Sequence, residues 1–389
     1  MEKIYDYTIK LLRYVLKGDV PTLPDDIDFY KLYEFGRSHG VENMLYVGLK
    51  GLNIDVPKDV FQKFYYSYLM SIKIDTLQTM ELEKIGKAFE DAGIDYIPLK
   101  GSVVKYFYPM PNYRKSGDVD VLVRRNKLES ARAVVENEGY KFNYIYENHG
   151  VHYEFTKSTF FHFELHRKLV GDDDRSQALL SKAWNYAKLK SGTSHTYGFD
   201  INFLYVHLIA HIAKHLRYGG AGLRLFGDIW IMQSKNMIDK TKVRQYLEKA
   251  NLSEIEEYTV KLAERWFLDK KDNDKVLNKL ELFVFRGGSF GTVSQKLNMA
   301  SFGQADSKQF KNKYWKKKFL SYFFEPLPYM KQKYSILVSH SWLLPIMWIY
   351  RLVKIPFTEM HMVSKRLKEY SMSKKSDMED LSEIYRIVK

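Results

Sequence analysis

Apolar residues recur three and four apart from the start of the chain. Ile4, Ile9, Leu11, Leu12, Val15 and Leu16 form one stripe, the spacing of an amphipathic helix. After the turn-rich stretch 18–26, a second helical set runs from Phe29 to about Leu49. Pro57 then opens a long helix that Gly93 closes. The period changes at Ile94. Tyr96-Ile97-Pro98-Leu99 reads as a short buried strand, with Pro98 pointing to an edge or irregular position. Ser102–Tyr108 reads as a short helix, Val119–Val123 as a strand, and Lys127–Glu138 as a helix closed by Gly139. Segments 141–147, 151–157 and 160–167 alternate like strands. Beyond Asp172 helical spacing returns, most clearly at Phe203–His215, Phe226–Gln233 and 241–269. The expected fold class is α+β, a mixed sheet with flanking helices between two helical regions. Its expected divisions are 1–92, 93–170, 171–307 and 308–389, and the polar tail after Tyr370 is expected to fray.

Composition narrows the chemistry. The 389 residues include no cysteine, which removes disulfides, zinc–thiolate sites, iron–sulfur clusters and thiol catalysis. The formal charge is +14, which favours nucleotides, nucleic acid or an anionic membrane surface as partners. That charge is uneven: Lys308 to Lys389 carries 17 Lys/Arg against 7 Asp/Glu. Six lysines between Lys308 and Lys318 are interleaved with Phe310, Tyr314 and Trp315. The plain reading of that run is a solvated helix face. The sharper one is a patch for phosphates or anionic lipid, through residues 308–357. Charges at Glu2, Lys3, Asp6, Lys10 and Arg13 are unlike a signal peptide, so the expected location is cytoplasmic, or peripheral to a membrane. Tyr334 to Tyr350 has 17 residues without a formal charge. Its serines and Pro345 make it a buried or interfacial segment rather than a span.

The chemistry concentrates between Leu99 and His166. In Gly117-Asp118-Val119-Asp120-Val121-Leu122-Val123, alternation puts Asp118 and Asp120 on one face and the three valines on the other. Two carboxylates so held repel unless cations neutralise them, and they suit a pair of divalent ions. Magnesium fits an all-oxygen set, with manganese as the alternative. On Phe161–His166, alternation groups His162, Glu164 and His166. If this strand lies beside the first, Glu164 completes an acidic site, and His166 is placed to meet phosphate or metal. Gly101-Ser102 stands at a strand-to-helix turn, where backbone N–H groups bind anions. Lys100 and Arg114 add cationic contacts. Together these outline a site for a nucleoside triphosphate.

The stretch YIPLKGSVVKYFYPMPNYRKSGDVDVLV resembles the bacterial family of uncharacterised nucleotidyltransferases within the polymerase-beta-type superfamily. Phe35…His39-Gly40-Val41 and His207…His211…Lys214-His215 with Arg224 and Asp228 are similar to its flanking helical segments. The closing aromatic region is similar less specifically. The resemblance implies a minimal nucleotidyltransferase core between helical regions, with an NTP and two magnesium ions. It implies Gly101 and Ser102 as the Gly-Ser turn, Asp118 and Asp120 as the metal pair, and Glu164 as third carboxylate. Residues 106–114 become an inserted rim.

Other groups carry weaker signals. His207, His211 and His215 share a helix face but lack the glutamate of a zinc-protease motif. They read as packing or nucleotide contacts, with Lys214 and His215 reaching phosphate. His149 and His152 read as surface residues. Arg224 and Asp228, four apart, read as a pair, and the glycines at 219–222 as a flexible connection or lid. The leading function is metal-dependent transfer of a nucleoside monophosphate to an acceptor hydroxyl on a sugar, small molecule, RNA or protein. The alternatives are a non-catalytic nucleotide- or RNA-binding module, and a peripheral membrane protein acting on a glycan or lipid-linked acceptor.

Overall fold

The computed structural model describes residues 1–24, 26–143, 151–158, 161–172, 174–302, 324–358 and 376–389. The run Lys308–Lys318, His149 and part of the 141–147 segment lie outside them. Helices α1 (Glu2–Lys17), α2 (Phe29–His39), α3 (Glu42–Gly51) and α4 (Lys58–Asp91) come first. The set expected as one helix from Phe29 to Leu49 is two. Gly40 takes φ 68°, and the Val41 N–H donates to the Gly36 carbonyl, a left-handed stop that suits glycine.

The sheet follows: β1 (Tyr96–Pro98), the short helix α5 (Gly101–Val104), β2 (Val119–Val123), α6 (Leu128–Asn137), β3 (Lys141–Phe142), β4 (His152–Ser158) and β5 (Phe161–His166). Its order is β1-β2-β5-β4-β3. β2 and β5 are parallel, and the other neighbours are antiparallel. Pro98 falls on the edge strand, where its missing N–H is tolerated. Val119, Val121 and Val123 pack with Ile85 and Phe89 of α4 and Leu128, Ala131 and Val135 of α6 in one apolar core. Leu122 enters a second, larger core on the other side.

The remainder is α7 (Gln177–Leu180), β6 (Ala187–Leu189), β7 (Tyr197–Phe199), α8 (Ile201–Arg217), α9 (Leu223–Ser234), α10 (Lys240–Lys249), α11 (Ser253–Leu268), α12 (Lys275–Gly287) and α13 (Val293–Ser301). Then come α14 (Leu327–Lys333), α15 (Ile336–Ser339), α16 (Leu344–Thr358) and α17 (Ser376–Val388). The pair β6–β7 interrupts a region expected to be helical. A tight turn through Gly192 (φ 76°) joins the strands, and the Tyr96 N–H donates to the His195 carbonyl, tying the hairpin to β1. Within that tail, α17 does not fray. Leu381, Ile384, Ile387 and Val388 enter the larger core with residues of α1–α3, α8, α9, α11 and α12. Arg175 and Arg217 donate to the carbonyls of Ile387 and Val388, satisfying the helix end. Among the described residues no helix is long and apolar enough to cross a membrane.

The glycines at 219–222 form no lid. They are buried between α8 and α9, where side chains on Gly220 and Gly222 would run into Gly291 and Ser289. Gly219 takes φ 99°. Two backbones cross here at a separation only glycine permits.

His39 fastens three helices at this crossing. Its Nδ1 accepts from the Leu223 N–H at 3.3 Å, so Nε2 carries the proton donated to the Phe285 carbonyl at 3.2 Å. Burial pulls its pKa down to about 4 from 6.5. The folded state holds the neutral ring. Its stabilisation is full above pH 6.5 and is lost as pH falls toward 4, a term on the order of 3 kcal/mol. We expect His39→Gln to remove about one proton from the slope of unfolding free energy between these pH values, measured by urea denaturation across the range.

Candidate active site

β2 and β5 build the acidic cluster. Their register pairs Val119 with Phe163, Asp120 with Glu164, Val121 with Leu165 and Leu122 with His166. The valines, Phe163 and Leu165 belong to the same apolar core, so the residues between them emerge on the other face. Asp118 precedes β2 by one residue. Carboxylate oxygens of Asp118, Asp120 and Glu164 lie within 4.8 Å of one another. The Ser116 hydroxyl donates to the Asp118 carbonyl at 2.9 Å and fixes the approach to the strand.

Two cationic groups meet the cluster. Lys100 Nζ lies 2.6 Å from Asp120 Oδ1. Its backbone is held at φ 44°, ψ −116°, while the neighbouring Leu99 N–H donates to the Asp120 carbonyl at 3.0 Å. His166 Nε2 sits 2.8 Å from Asp120 Oδ1 and 3.0 Å from Glu164 Oε2, and its Nδ1 is buried with no partner among the described residues. His166 thus bridges two carboxylates. His152 is not a surface residue: it pairs with His166 across β4 and β5, and its Nε2 lies 3.3 Å from Glu154 and 3.8 Å from Glu164.

The charges do not balance evenly. Burial opposes ionisation of Asp120, but Lys100 and His166 hold its pKa well below the usual carboxylate range. Asp118 goes the other way, to about 6, through burial and the charges of Asp120 and Glu164, only partly offset by Lys100 and Arg224. Burial disfavours a charged His166, yet its bonds to Asp120 and Glu164 raise its pKa. Burial likewise works against a charged Lys100, and the three carboxylates outweigh it.

Helix α8 faces this cluster with neutral imidazoles. Burial and the charge of Lys100 take the His207 pKa down to about 3, and hold His211 well below its usual value. Burial, Arg224 and Lys100 take His215 to about 4. Lys214 reaches open surface, but the surrounding protein and Lys100 lower its pKa. No metal-ligand group forms on α8 among the described residues.

Arg114 is engaged differently from its expected phosphate contact. Its Nη2 lies 2.8 Å from Asp228 Oδ2, its Nε 3.2 Å from Oδ1, and the pair is buried. The Tyr108 hydroxyl donates to the same carboxylate at 2.8 Å. Asp228 therefore belongs to Arg114, not to Arg224, which donates to the Lys115 carbonyl at 2.5 Å. The segment 105–116 is a strut: Lys105 reaches Asp75 and Thr79 on α4, and Asn43 on α3 donates to the carbonyls of Asn112 and Tyr113. Gly101 is needed here because a Cβ would run into Arg114 and Ser116. Ser102, half-buried, donates its N–H to the Leu99 carbonyl at 3.2 Å. Sequence reasoning did not find the engagement of Lys100 with Asp120, the role of His152, or Arg224 near Asp118. Only the residue types, scattered over 120 positions, carried a signal.

A family model described as an uncharacterised nucleotidyltransferase matches residues 25–268. That range holds the acidic strand, the turn at Gly101 and α8, and ends before the basic aromatic region. Comparisons with curated proteins and with solved structures found no match.

Removing one partner of a buried ion pair strands the other, at a cost of about 3–5 kcal/mol. We expect Arg114→Met to destabilise the protein by that amount in chemical denaturation. Adding Asp228→Leu should recover most of the loss, because no charge is then left in the apolar interior.

Proposed function

The chain belongs to the uncharacterised nucleotidyltransferase family, and from that premise we propose that it transfers a nucleoside monophosphate from an NTP to an acceptor hydroxyl with release of pyrophosphate. The observation that carries the reading is the crowding of Asp118, Asp120 and Glu164 within 4.8 Å, with the Asp118 pKa raised to about 6. An arrangement that disfavours charge on one of its own carboxylates is short of cations. The donor set is all oxygen, the kind magnesium or manganese takes, so the residues fit a divalent pair. Asp118, Asp120 and Glu164 would hold it. When bound, the two ions would acidify the acceptor hydroxyl and offset the charge of the triphosphate and of departing pyrophosphate.

The protein's own residues supply the rest. Lys100 covers the charge of Asp120 and stands where a phosphate would enter. Gly101 offers a backbone N–H group and Ser102 a hydroxyl, and Lys214 and His215 supply donors from the rim of α8. His166 holds Asp120 and Glu164 in one orientation through a single ring nitrogen. In the transfer, the acceptor oxygen bonds to the α-phosphorus and the bond from that phosphorus to the bridging oxygen breaks. The hydroxyl proton passes to a carboxylate, for which Glu164 is the candidate. The neutral imidazoles of α8 leave the negative substrate facing few fixed charges other than Lys100, Lys214 and Arg224. A module that only binds nucleotide gains nothing from three carboxylates beside phosphate, so the catalytic reading is favoured.

We expect Asp118→Asn and Asp120→Asn each to lower pyrophosphate release by about a thousandfold or more while circular dichroism is unchanged. The assay supplies each of the four triphosphates with magnesium, manganese or chelator, and cell extract as the source of acceptor. Full metal-dependent activity in both variants would overturn the assignment. In the absence of nucleotide, magnesium should raise the Tm of the unaltered protein and leave that of Asp120→Asn nearly unmoved.

A further inference from the structure

Helix α16 and the turn before it leave a row of large apolar side chains in solvent. Trp342, Ile346, Ile349, Tyr350 and Val353 are 71, 56, 63, 51 and 63 % exposed. Their spacing of three and four places them on one face, and that face carries no charge. The opposite face is turned inward, with Leu344, Met347 and Trp348 half-buried and Arg351 at its centre. Arg351 is buried, and its two terminal nitrogens lie 2.6 and 2.9 Å from the Glu325 carboxylate. The Trp348 indole N–H donates to the Glu325 carbonyl at 2.8 Å, and its ring meets Phe324 edge-on. Glu325 also holds Lys333 at 3.0 Å. The orientation of α16 is therefore fixed by an ion pair that needs its shelter, and the apolar residues are left outside. Ile336 and Val338 on α15 extend the exposed apolar surface. No described residue of 324–354 belongs to either apolar core of the molecule.

We propose that this face docks on an anionic lipid surface, entering the headgroup and upper acyl region with α16 lying in the membrane plane. Charge complementarity selects that occupant. The stretch from Lys308 to Lys389 carries 17 Lys/Arg against 7 Asp/Glu, and Lys354 stands exposed beside Tyr350 at the edge of the stripe. A lysine beside an apolar face with Trp and Tyr in it, in a stretch of sequence rich in Lys and Arg, is what an interfacial helix needs. The stripe itself suits acyl chains rather than nucleic acid, since Ile and Val offer bases neither hydrogen bonds nor stacking. Among the described residues no helix, α16 included, is long and apolar enough to cross a membrane.

The test is sedimentation of the full chain with phosphatidylcholine vesicles and with vesicles of equal parts phosphatidylcholine and phosphatidylglycerol, at low and high salt. Binding is expected to the mixed vesicles, weakened by salt, and blue-shifted tryptophan emission should accompany it. The variant Ile346→Asp, Ile349→Asp, Val353→Asp should lose about a hundredfold in partitioning and keep the Tm of the unaltered protein. In Trp342→Phe binding should persist while much of the emission shift disappears. Three results would overturn the proposal: no sedimentation with mixed vesicles at low salt; equal binding by the triple variant; or a large fall in its Tm, which would mean that the chain covers this face itself. A dimer by light scattering that the triple variant converts to monomer would assign the face to a second copy instead.

Discussion

The register between two parallel strands is the constraint on which the site rests. β2 and β5 pair residue for residue so that Val119, Val121, Phe163 and Leu165 face one core, and Asp120 and Glu164 emerge together opposite. A slip of one residue would carry a carboxylate into that core and an apolar side chain out of it. The core residues thus hold the acids side by side against their mutual repulsion. Burial of the branched and aromatic side chains, roughly 1.5–3 kcal/mol each, is what opposes that repulsion.

Once the acids are fixed, the rest of the molecule arranges its charges around them. The long helix α4 closes the far side of the sheet through Ile85 and Phe89, and earlier along its length receives Lys105 from the strut. The strut ends at Arg114, whose guanidinium is matched by Asp228 on α9. The same α9 begins at the glycine crossing where His39 accepts its first N–H. The sheet, the N-terminal helices and α8–α9 are therefore joined by buried polar links of defined geometry, which specify orientation in a way apolar contact alone does not. Helix α8 can then present imidazoles to the cluster without adding fixed positive charge, because burial keeps them neutral.

How much of this was readable in the sequence follows from range. β2 and β5 were legible because their two-residue alternation is local, and α8 and α11 because their spacing is helical. The divide between α2 and α3 was missed because a glycine in a left-handed conformation interrupts an otherwise continuous stripe. β6 and β7 are three residues each, too short for alternation to register. Partners far apart in sequence left no trace. Asp228 looked like a neighbour of Arg224 at helical spacing, yet it belongs to Arg114, 114 positions earlier. His152 looked like a turn residue, and only the antiparallel pairing of β4 with β5 brings it beside Glu164. The glycines at 219–222 resembled a loose loop because they are half of a contact whose other half lies at Ser289 and Gly291.

Lys100 shows how local strain and site chemistry are connected. Its backbone lies in a sparsely populated region for a residue with a side chain, a cost of about 1–3 kcal/mol. It is held there from both sides: Leu99 donates to the Asp120 carbonyl, and the N–H groups of Val103 and Val104 donate to the Lys100 carbonyl as α5 begins. A lysine on such a tether cannot range freely over the cluster. It settles on Asp120, lowering that pKa, while Asp118, two residues earlier, rises. Lys100 and His166 both favour a charged Asp120, and Asp118 is left as the reluctant acid. The reluctant one is where additional positive charge gains most.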